Sequence, residues 1–447
     1  MAQEWLVDVK ACFHNQDLVN ELTFQSVCIY KVPTFLFQLN QSAYVPQCVS
    51  LGPIHHTNAA LAEKPSMLSK KVHATHKMFQ RLQAVSPTKV EFEGDVIGRI
   101  LDLLPTVRKC YQKQIHLDDI SLAWMLTLDA CFILEILRAL NGSTNSYHGF
   151  FHRNTIEYTA YPIISDMLML ENQIPFFVLL KILELELQTD EENACRELCV
   201  LLNGARITRL FYPFNETASW LPQGIPHGQK VKHLLDLFRM LVIYSSFPDR
   251  KTVWKFNCSM SPHKQEYIIP SASELRRAGI KFRKVDGKFE EIGIKNNIFH
   301  LPRIRISRSI ETVLRNLMAL EICEAEDTCV ISRYVLLMCE LIDSEKDVSV
   351  LKKAGIIKSY MGSDREVALL FNGLSKGITR SYGDPFAKVR EDAHKHYHSK
   401  IKVIVAEFAN SHCSSPWRTM SLIGACLILL LAAVQTIFSL HHKLLVN

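Results

Sequence analysis

Six polar side chains in this chain have the types and spacing that chemistry requires: His55 and His56, Asp129, and the run Glu171-Asn172-Gln173. Adjacent histidines can ligate a metal or move protons near neutral pH. Pro46, Gly52 and Pro53 precede them and exclude a helix, so the plainer reading is a pair of hydrogen-bonding loop histidines. Asp129 falls in the apolar stretch 122–140. On a helical wheel of about 100° per residue, Thr127, Glu135 and Arg138 share one quadrant, the expected wet edge, and Asp129 lies opposite. A carboxylate there must find a cation, backbone donors or a proton. It is either a buried tie between helices or a functional acid. Glu171, Asn172 and Gln173 precede Ile174-Pro175, between two apolar runs in 163–187. Pro175 disfavours helix at Ile174 and suits the first turn of a following helix. The pattern predicts helix, polar break, helix, with the three side chains satisfying free backbone groups at the break. A ligand site made from the same three groups is the alternative. His394, His396 and His398 alternate; on a helix only the outer two share a face. A solvated segment close to a membrane is expected there.

The motifs of familiar chemistries are missing. There is no P-loop, no G-x-G-x-x-G, no His-Glu-x-x-His, no G-x-S-x-G and no paired C-x-x-C. No catalytic residue, metal or cofactor is assigned. The 13 cysteines, of which Cys195 and Cys199 are the closest pair, read as reduced and mostly buried thiols. Charged residues are 21% and hydrophobic ones 48%, a globular balance. The net charge of +6 is mild and the basic residues are dispersed, which speaks against a nucleic-acid partner.

The elements that must position these residues are mostly helical. A basic helix is expected over 67–82, with Lys70, Lys71, Lys77 and Arg81 on a solvated face. Residues 210–229 and 247–270 are irregular and are candidate seams between lobes. Ser271-Ala-Ser-Glu274 is a capping box whose helix stops at Gly279. Strands follow over 280–285, 288–294 and 298–306, with Asp286-Gly287 as a hairpin turn. Helices resume over 310–323, 331–343 and 348–354. The fold class is predominantly α with a small antiparallel β-meander near 280–306 (α+β), plus one C-terminal transmembrane helix.

That last helix is the stretch 420–440, from Met420 to Leu440, which holds no charged residue. At about 1.5 Å per residue it reaches roughly 30 Å, the hydrocarbon thickness of a bilayer. No cleavable leader is recognised at the N-terminus. The expected organisation is an extension over 1–26, a body over 27–415, the anchor over 420–440 and a tail over 441–447. The lipid bilayer is one partner and an unidentified protein another. Localisation at a membrane, the plasma membrane above all, is expected, with the side of the body left open.

Several stretches together resemble one family. They are Ile29-Tyr-Lys-Val-Pro33, Tyr44-x-Pro-Gln-x-Val-Ser-Leu-Gly-Pro-x-His-His56, Asp129-x-Cys-Phe-Ile-Leu-Glu135, Leu170-Glu-Asn-Gln-Ile-Pro-Phe-Phe177 and Ser271-Ala-Ser-Glu-Leu-x-x-Ala-Gly-Ile-Lys-Phe282. Leu301-Pro302, Arg315-Asn-Leu317, Pro416-Trp417 and Gln435-Thr436 complete the set. In this order they resemble the plant proteins carrying domain of unknown function 247, the UPF0481-like group, over roughly residues 27–440. Two local departures stand out: Glu-Ile-Cys at 321–323 in place of Glu-Gln-Cys, and few aromatics over 401–415. The resemblance implies a mostly helical membrane protein with no catalytic residues to carry over. Some grass members are similar proteins that act as pollen-side determinants of self-incompatibility, by recognition. The expectation is therefore a non-enzymatic, membrane-anchored recognition or signalling protein. A membrane-associated enzyme using Asp129, Glu171 or the histidines, and a generic tethered scaffold, are the rival readings.

Overall fold

The computed structural model describes residues 27–57, 65–86, 90–141, 156–204, 231–246, 267–285, 289–307, 309–324, 329–377 and 384–399, and in the tail 420, 423–425 and 427–436. The first long helices are α1 (Pro65–Val85), α2 (Asp119–Leu140), α3 (Ile156–Met167), α4 (Phe176–Leu187), α5 (Glu191–Gly204) and α6 (Leu234–Ser246). After α7 (Ala272–Arg277) come strands β1 (Lys281–Val285), β2 (Gly293–Lys295), β3 (Ile298–Pro302) and β4 (Ile304–Ile306). Then follow α8 (Ile310–Glu324), α9 (Val330–Leu341), α10 (Glu345–Lys353), β5 (Ile357–Ser359), α11 (Asp364–Leu374) and α12 (Ala387–Tyr397). A last apolar helix, α13, spans Ile423–Thr436.

Helix α2 is the axis of the first half. Asp118 caps it by accepting the Ser121 N–H at 2.9 Å. By length and mean hydropathy it could cross a membrane, yet it lies inside the body. It packs on α1, α4 and α5. Its expected wet edge is not wet: Thr127 and Glu135 are fully buried and Arg138 is half-buried. The reason lies in the neighbouring helices. Glu135 receives Arg81 of α1 at 2.9 Å and Arg138 at 3.6 Å, while Glu186 of α4 takes Arg138 at 2.9 Å and pairs with Arg81. The basic face of α1 is thus turned inward, against the expectation of solvation. Its outer side carries Leu68, Val72 and Val85 instead.

The second half departs from a meander. β3 lies between β1 and β2, pairing parallel with β1 and antiparallel with β2. The expected strand over 298–306 is two strands, and β4 pairs parallel with β5 in a separate sheet. The Asp286-Gly287 turn lies outside the described residues, but β1 and β2 are not partners, so it joins no hairpin. Two-residue turn chemistry reads only local sequence. Here Phe282 and Phe299 stack at 5.7 Å across the parallel pair, a non-local contact that favours the other register.

Local capping was legible. Ser271 and Glu274 form the capping box, and Gly279 adopts φ +88° at the stop of α7. Glu321 at the end of α8 accepts Ile331 N–H at 3.0 Å, Ser332 N–H at 2.8 Å and the Ser332 hydroxyl at 2.6 Å. A buried anion so placed caps α9 and locks α8 to it. Asp347 does the same for α10, accepting from Ser344 N–H and hydroxyl at 2.8 Å, and from Ser273 N–H of α7 at 2.7 Å. Burial raises the Asp347 carboxyl, but the Ser273 and Ser344 bonds outweigh it and hold the group below its usual range. Asp347→Ala is expected to cost about 1–3 kcal/mol, because it uncaps α10 and frees the Ser273 amide. A lower urea midpoint at unchanged slope is the readout.

Candidate functional site

Five of the six residues, His55, Asp129, Glu171, Asn172 and Gln173, converge around the elbow between α3 and α4. Helix α3 ends at Met167, and residues 168–175 turn through irregular backbone until Pro175, at φ −58° and ψ 138°, starts α4. Gln173 donates to the carbonyls of Met167 at 2.8 Å and Met169 at 2.7 Å, and accepts Leu235 N–H of α6 at 3.2 Å. Asn172 donates to the Asp166 carbonyl at 2.9 Å and the Val49 carbonyl at 3.0 Å, and accepts Leu51 N–H at 2.6 Å. Both side chains are fully buried. The expected capping role therefore holds for Asn172 and Gln173 and not for Glu171, and it extends further: Asn172 also secures the distant loop 44–56 and Gln173 the start of α6.

That loop is clamped from three sides. The Asp166 carboxylate accepts Cys48 N–H at 2.6 Å and Val49 N–H at 2.9 Å, with Gln47 N–H at 3.1 Å. Asp129 accepts Gly52 N–H at 2.7 Å and the Lys71 ammonium at 2.5 Å, and Lys71 also donates to the Ser50 carbonyl at 2.7 Å. Gly52 sits at φ +66°, and a Cβ there would meet the Gln173 carbonyl at 2.6 Å and the Tyr111 hydroxyl at 2.9 Å. Only glycine fits. Tyr111 donates to that same Gln173 carbonyl at 3.0 Å.

Glu171 holds the first strand-like segment, accepting Val32 N–H at 2.7 Å. His55 lies with Nε2 3.7 Å from Glu171 Oε2, beyond hydrogen-bond reach. Burial, then the nearby Lys113 charge, pushes the His55 imidazole down to about 4, so it is neutral at physiological pH and this is no ion pair. Burial pushes Glu171 up, against the Val32 bond and Lys31. His56 is exposed and does not join the cluster. Burial also raises Asp129, with Lys71 and the Gly52 N–H opposing.

Sequence reasoning missed four members. Lys71 looked solvated, and Asp166, Asn316 and His233 were not singled out. Asn316 of α8 accepts Leu170 N–H at 2.8 Å and donates to the Ala43 carbonyl at 2.7 Å. His233 holds the Cys28 carbonyl at 3.0 Å through Nε2, and its Nδ1 accepts Asp236 N–H at 3.2 Å, which fixes the neutral tautomer. Burial holds that ring down to about 4, with Asp236 opposing. The one available signal was the Arg315-Asn-Leu317 stretch.

The arrangement is therefore a lock: apart from His55 and His56, each of these polar groups is engaged with the chain's own backbone or with a buried counter-charge, while His55 Nε2 has no hydrogen-bond partner among the described residues. Among the described residues no group of three His, Cys, Asp or Glu could hold a metal, and the cysteines are free thiols. The alternating histidines lie on α12 and its C-cap, where the rings of His394 and His398 approach to 4.1 Å, tilted by 50°, and His396 is buried against the Ala278 carbonyl at 2.9 Å. A cavity between α3, α5 and α6 is lined by apolar side chains, Ile164, Met167, Leu202, Leu234, Phe238 and Leu241 among them.

A family described as plant protein of unknown function, DUF247, matches residues 29–431. A UPF0481 protein of Arabidopsis thaliana is 25% identical, over 98% of this chain and 94% of its own length. A second UPF0481 protein of that plant is 29% identical, over 92% of this chain and 86% of its own. No solved structure matches the chain.

Two outcomes are expected. Lys71→Met leaves the Asp129 carboxylate buried without its cation and costs about 3–5 kcal/mol; adding Asp129→Asn recovers a large part of this in a urea double-mutant cycle. For pH, the native state binds fewer protons than the unfolded chain wherever His55 and His233 are neutral in one and charged in the other. Their contribution is complete above pH 6.5 and is lost as pH falls toward 4, by up to about 3 kcal/mol each. The raised carboxyls of Asp129 and Glu171 act in the opposite sense, so the comparison is between wild type and His55→Gln or His233→Gln, whose melting temperatures fall less over that window.

Proposed function

We propose a function from the premise that this chain belongs to the plant family of unknown function DUF247: it is a non-enzymatic recognition or signalling protein held on a membrane by its C-terminal helix. One observation carries the tether. Leu427, Ile428, Leu429, Leu430 and Leu431 are consecutive on α13, and each is between 54% and 70% exposed. Five successive residues cover more than a full turn, so the helix is apolar on every side. Leaving such side chains in water forfeits about 1.5–3 kcal/mol apiece, which a hydrocarbon environment restores.

The lock supports recognition over catalysis. Asp129 is charge-paired, and Asn172 and Gln173 each serve backbone donors and acceptors on both sides. These groups hold a shape, and a held shape is what a recognition surface needs. Pollen-side self-incompatibility is the particular role that the resemblance implies, and it enters on that ground alone.

The test uses neutral phosphatidylcholine vesicles. The full chain is expected to float with them and to resist alkaline carbonate, while a chain ending at Thr419 stays in the aqueous fraction. A full chain that remains aqueous without detergent contradicts the tether.

A further inference from the structure

The charge of this chain is concentrated. Residues 276–306 hold nine Lys and Arg against three Asp and Glu, a net +6 that equals the formal charge of all 447 residues. The remainder is balanced, so one segment gives the molecule its sign.

Three of the four exposed cations on β1 and β2 stand on one face, with Lys284 on the other. Register partners share a face in a pleated sheet. Lys281, Ile298 and Lys295 therefore form one row, and Arg283, His300 and Gly293 the next. Phe282, Phe299 and Ile294 form the row between them on the opposite face, where Phe299 is fully buried. Lys281, Arg283 and Lys295 are exposed, and a Cβ on Gly293 would meet nothing within 4 Å, so the floor between the cations is open. His300 Nδ1 has no hydrogen-bond partner among the described residues. The acidic residues of this segment are Asp286 and the pair Glu290 and Glu291, which are exposed on the turn before β2.

The sheet is also next to the route to the anchor. Helix α12 packs on β2, and its His396 bonds the Ala278 carbonyl at the entry to β1. From Tyr397 the chain runs on to the apolar stretch at Met420. We infer that the face carrying Lys281, Arg283, Lys295 and His300 docks on an anionic lipid surface, orienting the body against the membrane that α13 enters. The inference rests on the tethering reading. Anionic headgroups at the cytosolic leaflet attract cations within a Debye length of the surface.

The test reads lysine acylation by mass spectrometry on the full chain with vesicles of phosphatidylcholine alone or with phosphatidylserine added. Phosphatidylserine is expected to slow modification of Lys281 and Lys295 roughly fivefold, an effect abolished by high salt. Lys113, on another loop, should be unchanged. The triple variant K281E/R283E/K295E should float on phosphatidylcholine like wild type and lose all discrimination between the two vesicles. Equal acylation rates on both vesicles overturn the proposal, as does protection by soluble heparin but not by phosphatidylserine. If the chain does not insert into phosphatidylcholine yet phosphatidylserine still protects the lysines, the face stands and the tether falls.

Discussion

Buried irregular backbone is the constraint on which this fold rests. Helices and sheets satisfy their own N–H and C=O groups; a loop inside a core does not, and each orphaned group costs about 1–3 kcal/mol. Here the loop 44–56, the elbow 168–175 and the approach to α6 all pass through the interior. Their partners are Asn172, Gln173 and Asn316, each binding backbone from two or more segments, and Asp166, which takes three successive amides of the loop. An amide suits this task because it carries donors and an acceptor on one short, stiff group. Removing one therefore releases several segments together, which makes the knot cooperative.

Charges obey the same logic. Asp129 needs Lys71, Glu135 and Glu186 need Arg81 and Arg138, and Glu324 needs Lys232 and Arg239 at 2.6 and 2.5 Å. Asp129–Lys71, Glu135–Arg81, Glu186–Arg138 and Glu324–Arg239 each join two helices, and Lys232 ties the segment before α6 to α8. Such pairs add little net stability once desolvation is counted, but they penalise any register that separates them. Helix α1 shows the consequence: beside its apolar core face of Ala74, Met78 and Leu82, Lys71 and Arg81 reach inward to buried carboxylates while Leu68 and Val72 are left outside.

Legibility followed from how local the cause was. The elbow, the capping box at Ser271 and the stop at Gly279 depend on adjacent residues and were readable. Asp129 was placed correctly in the interior because a wheel reports its apolar neighbours. Glu135 and Lys71 were misplaced, because a wheel treats polar as wet and cannot see a counter-charge on another helix. The parallel pairing of β1 with β3 was likewise hidden, since register depends on contacts across the sheet. Glu171, Asn172 and Gln173 read in sequence first as satisfying backbone at the break; that each holds a distant segment was not legible, because those partners lie elsewhere in the chain. Of the stretches behind the family resemblance, 29–33, 44–56, Asp129, 170–177 and 315–317 meet in this knot, while 271–282 and 301–302 lie in the second half of the chain, away from it.

Native-state hydrogen exchange on the intact protein tests the lock most directly. The amides of Leu51, Gly52, Val32 and Leu235 stand outside regular helix pairing, or at its first residues, yet each donates to a buried side chain. They are expected to exchange as slowly as amides in the middle of α2, through the same global opening. Exchange of Leu51 and Gly52 at the rate of an unstructured loop, with α2 still protected, would contradict the account.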